Sequence, residues 1–173
     1  MIDGTDICLR TWEDKDIPML TTMRNDLALQ AQLLARARGS RPEQVQEWLQ
    51  SRSTHPDRLL FIIANRKADQ ALGYIQISEL NTIDGYAELG ICLINEARGR
   101  GLAGQAITQI SNYLRDQWRL RKLGLRVRDD NRAALKCYEK AGFERCGILR
   151  QHVFIDGHWQ DVVLMERFLI NSD

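Results

Sequence analysis

Residues 86–128 constrain the fold more than any other part of the chain. Residues 86–94 read as a strand, YAELGICLI. A loop holding Gly99, Gly101 and Gly104 follows, and then the longest helical pattern in the sequence, residues 101–118. Leu102, Ala106, Ile107, Ile110 and Leu114 line one stripe of it. Residues 122–128, KLGLRVR, read as a strand again. Two strands joined by a helix of this length imply a parallel, right-handed crossover, which excludes an all-helical or purely antiparallel protein.

The rest of the chain arranges itself around that unit. Residues 7–12 alternate as a first strand. Asp14 or Asp16 is placed to cap a helix carrying Ile17, Leu20, Met23 and Leu27 at helical spacing. A break over residues 33–42 holds Arg36, Arg38 and Arg41. Pro42 then opens a second helix with Val45, Trp48 and Leu49 on one face. Strand-like runs at 58–66, 71–80 and 86–94, separated by short turns, predict an antiparallel meander. Residues 131–142 predict a helix ending at Gly142, and Asp156-Gly157 marks the turn of a closing hairpin that contains or adjoins His152 and His158. The expected fold class is mixed α/β: a central mixed sheet with an antiparallel front, one βαβ crossover and a C-terminal hairpin. A length of 173 residues suits a single domain spanning residues 1–173.

Composition excludes several function classes. No run approaches the 18 or so apolar residues of a membrane helix, and the first ten residues carry no basic-then-apolar leader, so the cytoplasm is the expected location. Cys8, Cys92, Cys137 and Cys146 form no C-x-x-C pair and sit in apolar stretches, which predicts buried free thiols. His55, His152 and His158 lack metal-ligand spacing, so no metal is expected. A net charge of +1 gives no reason to invoke nucleic acid or a membrane as partner. The charge is uneven, however: Arg98 to Arg128 holds eight Lys or Arg and one acid, Asp116. That stripe is either a solvated face or part of a site for a phosphorylated ligand.

The glycine loop favours the ligand. Glycines let the backbone approach a ligand closely, a helix start offers free N–H groups, and Arg98 and Arg100 add positive charge, a combination suited to pyrophosphate. Gly99-x-Gly101-x-x-Gly104 also matches the dinucleotide fingerprint, but a Rossmann domain begins with that unit, whereas here it follows a meander. A P-loop is excluded because no Gly-Lys-Ser/Thr occurs.

At these residues the chain resembles a known family. Arg98-Gly-Arg-Gly-Leu-Ala103 is similar to the Arg/Gln-x-x-Gly-x-Gly/Ala signature of the GNAT acetyltransferases. Asn131-Arg-Ala-Ala-Leu-Lys-Cys-Tyr138-Glu-Lys-Ala-Gly142-Phe143 resembles the second signature of that family, in its usual order and spacing. The closing segments, 147–150 and 161–165, resemble the branch of spermidine, amino-sugar and ribosomal-protein N-terminal acetyltransferases. The resemblance implies acetyl-CoA as co-substrate. Its pyrophosphate would lie on Arg98, Gly99, Arg100, Gly101, Leu102, Ala103 and Gly104, and its pantetheine on main-chain groups of Ile91 and Leu93. Asn131 matches a contact to the cofactor arm and Tyr138 the residue beside the thioester sulfur.

Acyl transfer to nitrogen needs a neutral amine. An ammonium of pKa about 10.4 must lose its proton at a cost of roughly 4.6 kcal/mol at pH 7, and Glu88 and Glu79 are the candidate bases, directly or through water. The departing thiolate needs a donor, for which Tyr138 is the candidate. The expected function is acetyl-CoA-dependent N-acetylation of a primary amine on a small molecule, an amino sugar being one such acceptor. Arg36, Arg38 and Arg41, in the segment expected to cover the acceptor, argue against a free polyamine. Protein N-termini, polyamines and a non-catalytic CoA-binding module remain the alternatives. Self-association into a homodimer is compatible with the sequence.

Overall fold

Eight strands form one sheet in the computed structural model, which describes residues 1–169. They are β1 (Ile2–Asp3), β2 (Ile7–Arg10), β3 (Leu59–Asn65), β4 (Ala71–Asn81), β5 (Tyr86–Leu93), β6 (Lys122–Arg128), β7 (Glu144–Ile155) and β8 (His158–Phe168), in the spatial order β1-β2-β3-β4-β5-β6-β8-β7. Every neighbouring pair is antiparallel except β5 and β6, which are parallel, as the crossover requires. The helices are α1 (Ile17–Asn25), α2 (Leu27–Gln32), α3 (Pro42–Thr54), α4 (Leu102–Trp118) and α5 (Arg132–Lys140).

Strand alternation sends the two sheet faces into separate cores. Ala87, Leu89 and Leu93 of β5 face α4, whose stripe of Leu102, Ala106, Ile107, Ile110 and Leu114 is buried as the spacing predicts. Leu135 and Phe143 bring α5 to the same face. The opposite face carries Ile62, Tyr74 and Cys92 against Leu20 and Met23 of α1 and Val45 and Leu49 of α3. Glu88 and Gly90, in step with Cys92, therefore belong to the face of α1 and α3.

Three local expectations change. The apolar stripe from Ile17 does not run through to Leu27: Asp26 takes an extended backbone, ends α1, and caps α2 by accepting from the Leu29 N–H at 2.9 Å. Leu27 then points to water at 75% exposure. Neither Asp14 nor Asp16 caps α1 with its side chain. Asp16 accepts from the Glu13 N–H at 2.8 Å and is buried in a two-pronged pair with Arg10, at 2.8 and 3.0 Å, that ties β2 to the turn before α1. Asp69, in the β3–β4 turn, takes the Arg10 Nε at 2.6 Å, which occupies the remaining side of the guanidinium. All four cysteines are free, but only Cys8 and Cys92 are buried; Cys137 is half-buried and Cys146 exposed.

Among the described residues no helix is long and apolar enough to cross a membrane, and no cluster of three His, Cys, Asp or Glu could hold a metal ion.

Candidate active site

The parallel pairing of β5 with β6 is short. Its register runs from Tyr86/Lys122 through Ala87/Leu123 to Glu88/Gly124 and stops, although both strands continue. Beyond Glu88 the strands diverge. The Ile94 N–H bonds to the Leu72 carbonyl at 2.9 Å, one residue outside the Gly73/Leu93 pair. In an antiparallel ladder this makes Gly73/Leu93, and by alternation Ile75/Ile91, the pairs that do not exchange main-chain bonds. The N–H and C=O groups of Ile91 and Leu93 therefore point toward the gap left by β6. Arg98 Nε takes one of them, the Leu93 carbonyl, at 3.0 Å. The remaining groups offer an extended ligand a strand-like partner.

The glycine loop opens at the end of the same strand. Gly99 and Gly101 adopt φ of +70° and +73°, which L side chains rarely take. Gly101 is the N-cap of α4 and has no side chain to cap it; the first helical bond is from the Gln105 N–H to the Gly101 carbonyl. The N–H groups of Leu102, Ala103 and Gly104 thus face outward without helical acceptors. A Cβ built on Gly99, Gly101 or Gly104 meets no atom within 4 Å, so the approach is open. Arg98 and Arg100 are exposed beside it. The loop and the gap suit a pyrophosphate followed by an extended amide-bearing arm.

Tyr138, on α5, is half-buried against the α4 core and meets Phe143 edge-on at 5.9 Å. Burial pushes its hydroxyl above the ordinary phenol pKa, and the Cys137 and Cys92 thiols push it the same way. The Tyr138 hydroxyl donates to no protein group among the described residues.

Asn131 serves the fold as well: its side-chain oxygen caps α5 by accepting from the Ala134 N–H at 3.2 Å. Asn131→Ala is expected to cost about 1 kcal/mol and lower Tm by roughly 2–4 °C, while Asn131→Ser keeps the cap and most of the stability. Thermal melts of the two variants check this; equal losses would count against the cap.

Glu88 sits at the last paired position of β5 and β6, where the gap begins. Arg126 Nε lies 3.4 Å from its Oε1, and the Tyr86 hydroxyl donates to the same oxygen at 3.4 Å. Oε2 has no protein partner among the described residues. The Tyr86 hydroxyl is pushed up to about 12, first by burial and then by Glu88, with Glu79 adding to it. Of the two candidate bases, Glu88 is the one in hydrogen-bond contact with Tyr86. Glu79 is exposed and has a left-handed backbone, φ +52°, within the β4 irregularity between Ser78 and Asn81. Gly124 makes room for Tyr86, whose hydroxyl would clash with a Cβ there.

A cavity of about 460 Å³ lies between α2, the end of β6 and the start of α5, lined among others by Ala31, Arg128 and Asn131. The segment after α2 is tied to the closing hairpin: Arg36 donates to the Phe154 carbonyl near the hairpin tip. Arg41 lies near Glu43 at 3.9 Å and is exposed. Arg36 and Arg41 therefore have other partners than the acceptor, and only Arg38 of the three is without one among the described residues. Tyr86 and Arg126 are site residues that the sequence alone does not single out. Period-two spacing from Glu88 finds Tyr86; Arg126 reaches Glu88 only through strand pairing.

A spermidine N(1)-acetyltransferase of Vibrio cholerae is 32% identical over 106 residues, 59% of this chain and 61% of that protein. One of Escherichia coli is 32% identical over 93 residues, 54% of this chain and 50% of that protein. A ribosomal-protein-serine acetyltransferase of Escherichia coli is 26% identical over 103 residues, 60% of this chain and 58% of that protein. The aligned stretches thus span only about half to three-fifths of these relatives. The solved structure of a Vibrio cholerae spermidine N-acetyltransferase in complex with CoA and spermine superposes with a TM-score of 0.88 at 23% identity, covering 96% of this chain and 97% of that one, which shows the shared fold. The acetyltransferase (GNAT) domain model matches residues 6–144, and the chain belongs to that family.

Proposed function

We propose that this protein transfers the acetyl group of acetyl-CoA to a primary amine of a small molecule. The single observation that carries the proposal is the continuity of the cradle: the gap after Glu88, the gap-facing main-chain groups of Ile91 and Leu93, of which Arg98 takes only the Leu93 carbonyl, and the uncapped glycine start of α4 follow one another. Bound acetyl-CoA supplies an activated acetyl group. Gly99 to Gly104 hold the pyrophosphate, and Ile91 and Leu93 hold the pantetheine arm. Glu88 Oε2 takes the ammonium proton, directly or through water, with Tyr86 and Arg126 fixing the carboxylate through Oε1. Glu79 is the second candidate for that task. Tyr138 donates a hydrogen bond to the departing sulfur.

Two of the named relatives act on spermidine, which makes a polyamine the second reading for the acceptor. We place the reaction in the cytoplasm, since an exposed free thiol at Cys146 suits a reducing compartment. We also expect homo-oligomers. The edge strand β7 carries exposed Ile148 and Phe154, and a solved Vibrio cholerae relative is dodecameric.

The test is a thermal melt with acetyl-CoA, CoA and NAD, followed by free-thiol release with a panel of amines. A melting shift with acetyl-CoA and CoA and thiol release with an amine are expected. A shift with NAD alone would reject the proposal.

A further inference from the structure

Two buried polar atoms on the α1–α3 side of the sheet lack partners, and they are of opposite kinds. Arg24 Nε, a donor, and Gln76 Oε1, an acceptor, are shut off from water with no hydrogen bond among the described residues. The Arg24 guanidinium, on α1, lies over the Trp48 ring of α3 at 4.5 Å from its centroid. Trp48 in turn meets Tyr74 of β4 edge-on at 5.5 Å. Arg52 follows Trp48 by one helical turn.

This corner is cationic and uncompensated. Burial lowers the pKa of both guanidiniums; Arg38 adds to the effect at Arg24, and Arg58 and Arg24 add to it at Arg52. Neither Arg24 nor Arg52 pairs with a carboxylate among the described residues, and Asp57, the acid that acts on Arg52, is engaged by Arg58 at 3.5 Å and by His55. Partly desolvated like charges are unfavourable until a counter-charge arrives.

Strand register places the corner on the same sheet face as Glu88, four residues along β5. Tyr74, Gln76 and Ser78 of β4 stand opposite Cys92, Gly90 and Glu88 of β5, all on one face. Gln76 therefore lies between the arginine corner and the base. It lies over Gly90, where a Cβ would come within 3.1 Å of its Nε2.

We infer that the acceptor is a small amine bearing an oxyanion, phosphate or carboxylate, with the oxyanion on Arg24 and Arg52 and the amino group at Glu88. The inference rests on the acetyl-transfer reading and names its acceptor class. An anion brings the counter-charge that Arg24 and Arg52 lack among the described residues, and the amine meets Glu88. A polyamine brings further cations to the corner, where like charges repel.

The experiment measures thiol release from acetyl-CoA with matched probes. Glucosamine and glucosamine 6-phosphate differ by a phosphate, glycylglycinamide and glycylglycine by a carboxylate, and spermidine is the fifth probe. In at least one pair the anionic member is expected to have a kcat/KM about 10- to 100-fold higher, the size of one charge-assisted hydrogen bond. Arg52→Gln is expected to reduce that ratio about tenfold, with its Tm and the melting shift caused by acetyl-CoA retained. Arg24→Gln is the second variant; if losing the Trp48 stack prevents folding, Arg52→Gln decides alone. Preference for the neutral members or for spermidine overturns the inference, as does an anion preference that survives Arg52→Gln. A melting shift with acetyl-CoA but no release from any probe also overturns the acceptor class. Absence of both shift and release rejects the acetyl-transfer reading itself.

Discussion

Tyr138→Phe is expected to lower kcat about 100-fold while leaving the KM for acetyl-CoA nearly unchanged. The ring packs against Phe143 and the α4 core, and those contacts survive the loss of the oxygen. The hydroxyl itself serves no protein partner among the described residues, so removing it strands no buried group. An unperturbed phenol is already a weaker acid than a thiol by about 1.5 units, roughly 2 kcal/mol. Burial raises the Tyr138 pKa further, so complete proton transfer to the sulfur is still more uphill. Tyr138 therefore acts as a fixed hydrogen-bond donor. Losing one such donor costs about 10²- to 10³-fold in an organised site, and a diffuse thiolate places the effect at the low end. The sign of the pH dependence follows. An acid whose pKa is raised keeps its proton as pH climbs, so Tyr138 contributes no fall in kcat up to about pH 10. Steady-state kinetics of both proteins across pH check this, and an unchanged kcat in the variant would remove Tyr138 from the chemistry.

The elements readable from the sequence are those whose signals are local. The α4 stripe repeats at helical spacing, and Asp156-Gly157 supplies the positive φ values, +52° and +80°, that the hairpin turn requires. The crossover was legible because a strand, a long helix and a strand leave one arrangement. The break at Asp26 was hidden because Leu27 follows Met23 at helical spacing; only the cap on Leu29 shows that the chain restarts there. Asp16 looked like a cap because it precedes a helix, yet its partner is Arg10, on a strand.

The candidate site divides in the same way. The glycine loop was readable because its positive φ values and bare helix start are written in consecutive residues. Arg36, Arg38 and Arg41 drew attention as a cluster in one loop, but Arg36 is held by the Phe154 carbonyl, a contact made across 118 positions. The corner of Arg24, Trp48 and Tyr74 comes from α1, α3 and β4. No spacing rule connects three elements, so that corner is visible only once the chain has folded.

Gly101→Asp is expected to abolish acetyl-CoA binding while the protein stays folded. Gly101 has φ +73°, so any side chain there carries strain of about 1–2 kcal/mol. Space is not the obstacle, because its Cβ would meet nothing within 4 Å. An aspartate at an N-cap can accept from the first-turn N–H groups of α4 and offset part of the strain. That same bond removes the donors a phosphate needs and sets a carboxylate in its place. Two like charges about 4 Å apart at an effective dielectric near 20 repel by about 4 kcal/mol, which exceeds the roughly 2.7 kcal/mol of stabilisation that ligand at 100 times Kd confers. The variant should therefore melt within a few degrees of the parent without ligand and show no shift at ligand concentrations that saturate the parent. Gly101→Ala carries the strain without the charge and should retain part of the shift. A parental shift in Gly101→Asp would mean that the pyrophosphate does not rest on the start of α4.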